Sequence, residues 1–114
     1  MSAITTHVLD TALGKPASNL PIRLELRGAT GAFEELGRGE TDADGRLRTL
    51  LPPSHVLTAG VYRITFDTQA YFDAIGVATF YPEASIVFSI VRPEEHYHVP
   101  LLVSPYGYST YRGS

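Results

Sequence analysis

The 114-residue sequence has no cysteine, no tryptophan and only one methionine. Because cysteine is absent, disulfide bonds and thiolate nucleophiles are excluded, and the chain is compatible with a reducing cytosol. A concentrated basic surface is absent too: the nine Lys and Arg residues are scattered, and the formal net charge is −3. Nucleic acid and anionic membranes both favour clustered basic residues, so we expect neither as a partner.

The sequence also lacks long apolar segments. No stretch is long enough to span a membrane, and residues 1–10 have neither the basic nor the apolar region of a signal peptide. Apolar residues make up 44% and charged residues 18% of the chain, a balance typical of globular proteins. We therefore predict one cytoplasmic domain that spans residues 1–114 and has a single core.

Several common catalytic motifs are missing. The sequence contains no G-x-S-x-G, no G-x-x-x-x-G-K-[ST], no G-x-G-x-x-G before a helix and no H-E-x-x-H. The segment D-A-D-G at residues 42–45 resembles the start of a calcium loop but lacks the later bidentate glutamate. We interpret it as a simple turn between two strands.

Most of the remaining sequence predicts short β-strands. Residues 22–27 and 61–67 alternate apolar and polar side chains, which places Tyr62, Ile64 and Phe66 on one face of a strand. Enrichment in β-branched residues and flanking turn residues extend the prediction to eight strands, at residues 4–10, 22–27, 33–38, 46–51, 61–67, 85–91, 96–103 and 108–111.

One short helix is predicted, with Thr68 as its N-cap, residues 69–75 as two turns and Gly76 just beyond its end. Its apolar face would contain Tyr71, Phe72 and Ile75. Eight strands and one helix indicate an all-β fold, an eight-stranded antiparallel β-sandwich with one short helix.

Three histidines are candidates for chemistry. His96 and His98 are two residues apart, so a strand would point both to one face, and His7 from the first strand could join them. Such a cluster could hold zinc with an open coordination position, or it could act without metal as a general acid and base. Each histidine could also be an ordinary surface or core residue. His55 lies in a Pro-Pro-Ser loop, and we predict that it is exposed.

Arginine and the C-terminal residues supply further candidates. Arg46 could be a solvated loop residue, as could Arg48, or its guanidinium could bind a planar, oxygen-rich or anionic ligand. The C-terminal stretch is rich in Tyr, His and Arg, unlike the polar ends of most chains. Residues 111–114 could be an ordinary polar tail, but we expect Tyr108, Tyr111 and Arg112 to contact a ligand or another subunit.

Taken together, these motifs resemble the transthyretin-like family, and within it the 5-hydroxyisourate hydrolases of urate breakdown. The resemblance covers nearly the whole chain. Its motifs are T-T-H-V-L-D-T-A-L-G-K-P-A at residues 5–17, T-D-A-D-G-R at 41–46, F-D-T-Q-A-Y-F at 66–72, F-Y-P-E at 80–83, H-Y-H-V-P-L-L at 96–102 and Y-R-G-S at 111–114. The closing Y-R-G-S is the most specific, because it separates the hydrolases from the hormone-carrying transthyretins.

The resemblance implies a transthyretin/prealbumin-like sandwich that assembles as a homotetramer, a dimer of dimers with active sites at the dimer–dimer interface. It implies a small-molecule substrate, 5-hydroxyisourate, and neither a metal nor another cofactor. The implied catalytic residues are His7, Arg46, His98 and Ser114. The implied substrate-binding residues are Tyr111 and Arg112, together with Arg46 and His7.

The mechanism implied is hydrolysis of a ring amide, which gives 2-oxo-4-hydroxy-4-carboxy-5-ureidoimidazoline. His98 and His7 would hold and deprotonate the attacking water, one as the base and the other as an orienting group. Arg46 would stabilise the developing anion. Two other functions stay open: a transthyretin-like carrier without chemistry, and an immunoglobulin-like interaction module whose histidines are incidental.

Overall fold

Two β-sheets pack around one apolar core in the computed structural model, which describes residues 3–114. Met1 and Ser2 of the predicted domain lie outside the described residues. The described residues form ten strands and one helix: β1 (Ile4–Asp10), β2 (Lys15–Pro16), β3 (Pro21–Arg27), β4 (Phe33–Glu40), β5 (Arg46–Leu47), β6 (Gly60–Phe66), α1 (Thr68–Ala74), β7 (Ala84–Ile90), β8 (Tyr97–His98), β9 (Leu101–Ser104) and β10 (Gly107–Thr110).

The first sheet has four antiparallel strands in the order β4-β3-β6-β7. The second sheet has the order β10-β9-β1-β2, and β5 and β8 also pair with β1. Strand β1 is therefore the centre of the second sheet, because every other strand in it except β10 pairs directly with β1.

The apolar core lies between the two sheets. The side chains of β6 that enter it are the ones that the sequence alternation predicts. Tyr62, Ile64 and Phe66 are fully buried, and Ile22 and Leu24 of β3 face them from the neighbouring strand. Burying apolar area at about 25 cal/mol per Å² is the main favourable contribution to such a fold. The largest fully buried side chains are Tyr62, Phe66, Phe72, Ile4, Leu20, Leu24, Leu50, Ile64, Ile90, Leu101, Val8 and Val103.

The predicted strands are present, but one is much shorter than predicted and another is divided, while the bounds of the others differ by at most two residues. The strand predicted at residues 46–51 ends at Leu47, because Leu50 and Leu51 turn into the core instead of continuing the ladder. The strand predicted at 96–103 is divided into β8 and β9 at Pro100, which has no N–H to donate to a ladder. The pair Lys15–Pro16 was not predicted as a strand, so the count is ten instead of eight.

The pairing of β1 also corrects the fully antiparallel prediction. Strand β1 runs parallel to β8 and to β9, with Thr5 opposite His98 and Val8 opposite Leu101. The chain crosses to the other sheet between β1 and β8, so it can return in the same direction as β1. Sequence alternation does not contain this information, since it is the same for both strand directions.

The helix begins one residue earlier than predicted. Asp67, and not Thr68, is the N-cap, and its side chain accepts a hydrogen bond from the Ala70 N–H at 3.0 Å. Thr68 is the first helical residue, and its hydroxyl donates to the Tyr81 carbonyl. Ile75, predicted on the apolar face, is 41% exposed.

The predicted helix end is confirmed. Gly76 has φ +71° and follows the C-cap residue Ile75, a backbone conformation that glycine adopts without steric cost. Its N–H donates to Asp73 O, and the Val77 N–H donates to Phe72 O. These two bonds form a Schellman motif, which satisfies carbonyls at the end of the helix. No helix within residues 3–114 has the length and apolar character that a membrane crossing requires.

Candidate active site

The register of three strands brings the candidate residues to one face of the second sheet. Thr5 of β1 lies opposite His98 of β8, and His7 of β1 lies opposite Arg46 of β5. Residues two apart in a strand share a face, and residues directly opposite each other share it too. Thr5, His7, His98 and Arg46 therefore converge although they are far apart in the sequence.

The C-terminal residues join this face beside β8. Gly113 forms an isolated antiparallel bridge with His98, and the Gly113 N–H donates to His98 O at 2.9 Å. A Cβ atom added at Gly113 would lie only 2.5 Å from His98 Cδ2, so the backbone at Gly113 packs directly against the imidazole ring. This bridge places Ser114 next to the histidine.

A depression of about 200 Å³ lies on this face of the sheet. Two arginines and two histidines line it, so its charge suits a small ligand that is rich in oxygen or anionic. Its lining residues are Thr5, Thr6, Arg46, Arg48, His96, His98 and Ser114.

His98 is half-buried and has an electropositive surrounding. Burial is the largest cause of its lowered pKa, and the charges of His7, His96 and Arg46 lower that pKa further. Its Nδ1 atom lies 2.9 Å from Thr5 Oγ1, and its Nε2 atom has no hydrogen-bond partner among residues 3–114. A neutral imidazole with one free nitrogen can accept a proton from water.

His7 is oriented by the turn that precedes β5. Its Nε2 lies 2.9 Å from the Asp44 carbonyl oxygen. A carbonyl oxygen only accepts, so His7 Nε2 carries a hydrogen and donates it. In neutral His7 the free acceptor is therefore Nδ1.

The segment at residues 42–45 is a turn, as predicted. Asp42 Oδ1 accepts from the N–H groups of Asp44 and Arg46 at 2.9 and 3.0 Å, and Gly45 N–H donates to Asp42 O. The hydrogen bond from the Arg46 N–H is the main cause of a lowered Asp42 pKa, with the Asp44 N–H and the charges of Arg48 and Arg46 adding to it. The turn therefore sets where Arg46 leaves the loop.

The zinc alternative for the three histidines has no support in the geometry. Among residues 3–114, no group of three or more His, Cys, Asp or Glu side chains is placed to hold a metal ion. His96 Nε2 and His98 Nδ1 both face the hydroxyl of Thr5 at 2.9 Å. The two imidazoles share a face, as predicted, but a protein hydroxyl lies between them.

Tyr111 and Arg112 lie on the other side of His98. They line a second depression of about 250 Å³, which shares only His98 with the first one. The Arg112 guanidinium donates to Glu95 Oε1 at 3.0 Å and lies 4.5 Å from the centre of the Tyr97 ring. Arg112 therefore lines a depression that contains neither Arg46 nor Ser114.

His55 is not exposed, contrary to the prediction. It is half-buried, and its Nε2 is enclosed without a hydrogen-bond partner in the described part of the chain. It lines a separate depression of about 310 Å³ with Arg48 and Leu57. The His55 N–H donates to Pro52 O at 3.0 Å, which closes a turn in this loop, and the loop's polar composition was a poor guide to its exposure.

Four residues of the site were not identified from the sequence as site residues. Thr5 contacts both His96 and His98, Thr6 and Arg48 line the depression, and Gly113 packs against the ring of His98. A signal for Thr5 was present, because Thr5 and His7 are two residues apart in a predicted strand. No sequence signal indicated that Gly113 would meet His98.

Comparisons with known proteins give one consistent result. Residues 4–113 match the HIUase/Transthyretin family. The chain is 46% identical to the 5-hydroxyisourate hydrolase of Mus musculus, over 99% of this chain and 96% of the mouse protein. The solved 5-hydroxyisourate hydrolase of Klebsiella pneumoniae is 38% identical, with a TM-score of 0.86 and full coverage of both chains. Sea bream transthyretin, solved in complex with thyroxine, is 34% identical with a TM-score of 0.90, covering 97% of this chain and 94% of the sea bream chain.

Proposed function

This chain belongs to the HIUase/Transthyretin family, and we propose that it hydrolyses 5-hydroxyisourate in urate degradation. The resemblance drawn from the sequence motifs is thereby confirmed, as is the transthyretin-like fold. The observation that carries the hydrolase proposal is the convergence of His98, Arg46 and Ser114 on one depression, with His7 fixed beside them. A site of this kind can activate water and stabilise an anion.

The carrier alternative has weaker support. Structural similarity does not decide between the two functions, because the sea bream carrier and the Klebsiella hydrolase both superpose closely on this chain. The sequence is nearer to the mouse hydrolase, at 46% identity, than to the sea bream protein, at 34%. A carrier also has no need of a neutral, half-buried histidine beside two arginines.

In the proposed reaction, His98 is the general base and His7 the orienting group. The free Nε2 of His98 and its lowered pKa support this assignment, because the imidazole stays neutral and able to accept a proton from water. His7 donates through Nε2 to Asp44 O, which suits a fixed, positioning group. The zinc alternative is not needed, and we propose a reaction without a metal or another cofactor.

Arg46 is the proposed anion-binding residue. When water attacks the ring amide, negative charge develops on the carbonyl oxygen, and a guanidinium in a half-buried site stabilises that charge. Ser114 would hydrogen-bond to the substrate from the same depression. Ring opening then gives 2-oxo-4-hydroxy-4-carboxy-5-ureidoimidazoline. Tyr111 and Arg112 are proposed to contact the substrate from the second depression.

We propose that the enzyme is a cytoplasmic homotetramer, a dimer of dimers. Exposed aromatic side chains support the assembly: Phe80 is 68% exposed and Tyr106 is 72% exposed. The rings of Phe80 and Tyr81 are 5.0 Å apart, and those of Tyr81 and Tyr108 are 5.4 Å apart. We call Phe80, Tyr81, Tyr106 and Tyr108 the aromatic patch. An exposed patch of this kind marks an interaction surface.

The proposed function is tested by generating 5-hydroxyisourate in situ from urate with urate oxidase and following its decay by absorbance. Decay that accelerates in proportion to the added protein, with an optically active product, is the expected result. The variant His98→Ala should fold and assemble normally but lose most of the acceleration. Decay at the spontaneous rate with folded wild-type protein would overturn the hydrolase proposal, and thyroxine binding would then be measured.

A further inference from the structure

We propose that the Thr5 hydroxyl links His98 to His96 as a proton relay, which carries the proton taken from the attacking water out of the site. The inference rests on the proposed hydrolase function and adds a route for the proton. It assigns two residues, Thr5 and His96, that do not belong to the catalytic set implied by the resemblance.

The geometry of the link is symmetric. Thr5 Oγ1 lies 2.9 Å from His96 Nε2 and 2.9 Å from His98 Nδ1. Thr5 is 5% exposed, His98 is half-buried and His96 is exposed. The hydroxyl is therefore the connection between an enclosed imidazole and one that is in contact with solvent.

The Thr5 hydroxyl has a single hydrogen, and this couples the tautomers of the two imidazoles. A threonine hydroxyl has one hydrogen to donate and two lone pairs to accept with. If both contacts are hydrogen bonds and the hydroxyl donates in one of them, the other ring must donate to it. Either His98 Nδ1–H donates to Thr5 and Thr5 donates to His96 Nε2, or both bonds run in the opposite direction.

The first arrangement prepares His98 as a base. With the hydrogen on Nδ1, the Nε2 atom has a lone pair and no protein partner among the described residues. The second arrangement would place the hydrogen on Nε2 and remove the base. The direction of one hydroxyl thus decides whether His98 can accept a proton from water.

Electrostatics favour moving the charge away from His98. A cation on His98 would be partly buried and would face His7 from β1, Arg46 from β5 and His96. Arg48 and Ser114 also line the same depression. A cation on His96 is solvated by water, because that ring is exposed.

The relay step balances in protons and electrons. The water gives a proton to His98 Nε2, while its oxygen lone pair forms the bond to the carbonyl carbon and the carbonyl π electrons move to the oxygen. His98 Nδ1 gives its proton to Thr5 Oγ1, and Thr5 gives its own hydroxyl proton to His96 Nε2. His98 ends as the neutral Nε2–H form, and His96 ends as a cation that releases its Nδ1 proton to solvent. When the ring nitrogen leaves, His98 Nε2 gives it a proton, Thr5 gives its hydroxyl proton to His98 Nδ1, and His96 Nε2 gives its proton to Thr5. His96 Nδ1 then takes up a proton from solvent, which restores the starting arrangement.

The first test needs no substrate. The imidazole nitrogen shifts of His98 and His96 are measured by NMR, on wild-type protein labelled at the histidine nitrogens, as the pH is lowered. Protonated His96 must donate to Thr5, so Thr5 must turn its hydrogen towards His98 Nδ1. In the wild type we expect protonation of His96 to change His98 from the Nδ1–H to the Nε2–H tautomer, so that the chemical shifts of its two ring nitrogens swap. In Thr5→Val this swap should not occur. If the His98 nitrogen chemical shifts of the wild type do not change when His96 is protonated, the relay is wrong.

The second test is kinetic. Thr5→Val keeps the shape but removes the hydroxyl, and His96→Gln keeps a hydrogen-bonding group that cannot take up a proton. We expect each variant to lower kcat on the order of 10²-fold with little change in KM. The double variant should be no slower than either single variant, since the residues act as a unit.

Two controls separate a relay from a structural role. Thr5→Ser restores the hydroxyl and should keep nearly the wild-type kcat. Thr65→Val removes another buried strand hydroxyl and should leave kcat unchanged. Thr65 and its contact Ser85 both lie in the four-stranded sheet, which does not contain Thr5. If His96→Gln has the wild-type kcat while Thr5→Val is slow, Thr5 only orients His98 and the relay is wrong. Failure of the hydrolase proposal would show differently, as a wild-type protein without activity.

Discussion

At the scale of single residues, the environment of His98 is set both by packing contacts and by the charges of its neighbours. It lies opposite Thr5 in β1 and opposite Gly113 in the C-terminal bridge, and it lines both depressions. Burial and three basic neighbours lower its pKa. The same features that enclose the ring therefore keep it neutral, which is what a general base at neutral pH requires.

The lowered pKa of His98 predicts a specific pH dependence. The acid limb of kcat/KM has two contributions: protonation of His96, which turns the Thr5 hydrogen towards His98, and protonation of His98 itself. The second contribution should lie below the ordinary histidine value of about 6.5, because neutral His98 persists to lower pH. Arg46→Gln removes one of the charges that lower the pKa, so the acid limb should move to higher pH. The rate should also fall, by roughly 10²-fold to 10³-fold, because the developing anion loses its partner. The measurement is kcat/KM against pH for both proteins.

Arg27→Gln is the matched control for this change. Arg27 is an exposed arginine at the end of β3, and its replacement should leave both the rate and the acid limb unchanged. An unshifted acid limb in Arg46→Gln would contradict the assignment of His98 as the group that titrates.

The lowered pKa of His98 also affects stability. Below pH about 6.5 the unfolded chain binds more protons at this histidine than the folded chain does. The free energy of unfolding therefore falls as the pH falls from there towards the folded pKa of His98.

Gly113 makes a second residue-scale prediction. In Gly113→Ala the new Cβ would meet the His98 ring at 2.5 Å, so the imidazole or the C-terminal bridge must move. We expect kcat to fall at least roughly 10-fold, because a displaced base loses its alignment with the water. Gly28→Ala is the control, since its Cβ would meet only Ala32 O at 3.6 Å. Equal kcat for wild type and Gly113→Ala would show that the bridge does not position His98.

At the scale of elements, helix α1 is anchored to β1 by one buried hydrogen bond. The Tyr71 hydroxyl donates to Asp10 Oδ2 at 2.7 Å, and burial together with Asp10 raises the pKa of Tyr71. The other carboxylate oxygen of Asp10 accepts from the N–H groups of Ala12 and Leu13. One buried carboxylate thus holds the turn after β1 and the helix together.

Tyr71→Phe tests this anchor. Removing the hydroxyl leaves Asp10 Oδ2 buried without its donor, and Asp10 is only 1% exposed. We expect the free energy of unfolding to fall by about 1 to 3 kcal/mol, measured by urea denaturation. Tyr111→Phe removes a hydroxyl from a 59% exposed side chain outside the aromatic patch and should change this free energy by much less. Equal stability of the two variants would mean that water or a shifted partner satisfies Asp10.

The C-terminal segment at residues 111–114 makes a prediction about substrate binding. Arg112→Gln removes the guanidinium that is held by Glu95 and by the ring of Tyr97. If Arg112 contacts the substrate away from the reacting amide, KM should rise several-fold while kcat changes little. Steady-state kinetics of this variant and of Arg27→Gln make the comparison. A fall in kcat with unchanged KM would place Arg112 at the reacting group instead.

At the scale of the whole molecule, the aromatic patch predicts the assembly. Phe80→Asp places a charge in the proposed interface, so we expect the tetramer to dissociate, as measured by light scattering after size-exclusion chromatography. Val56→Asp is the control, because Val56 is 78% exposed in a loop and should leave the mass unchanged. A tetrameric Phe80→Asp protein would show that the patch is not an interface. A monomeric wild type would overturn the tetramer proposal itself.

The sequence by itself determined the sandwich and singled out most residues of the candidate site. Alternation in β3 and β6 specified which apolar side chains face the core, because strand periodicity is a local property. The single helix and its end at Gly76 were also readable, since capping depends on neighbouring residues. His7, Arg46, His98 and the last four residues were singled out because their motifs resemble those of a known family.

Only the tertiary structure decided how these residues meet. The parallel pairing of β1 with β8 places Thr5 beside His98, and the bridge at Gly113 brings Ser114 to the same depression. Register and strand direction depend on contacts between residues more than 90 positions apart in the sequence. Side-chain pattern is the same for either direction of a strand, so only the folded chain could show that one threonine hydroxyl joins two histidines.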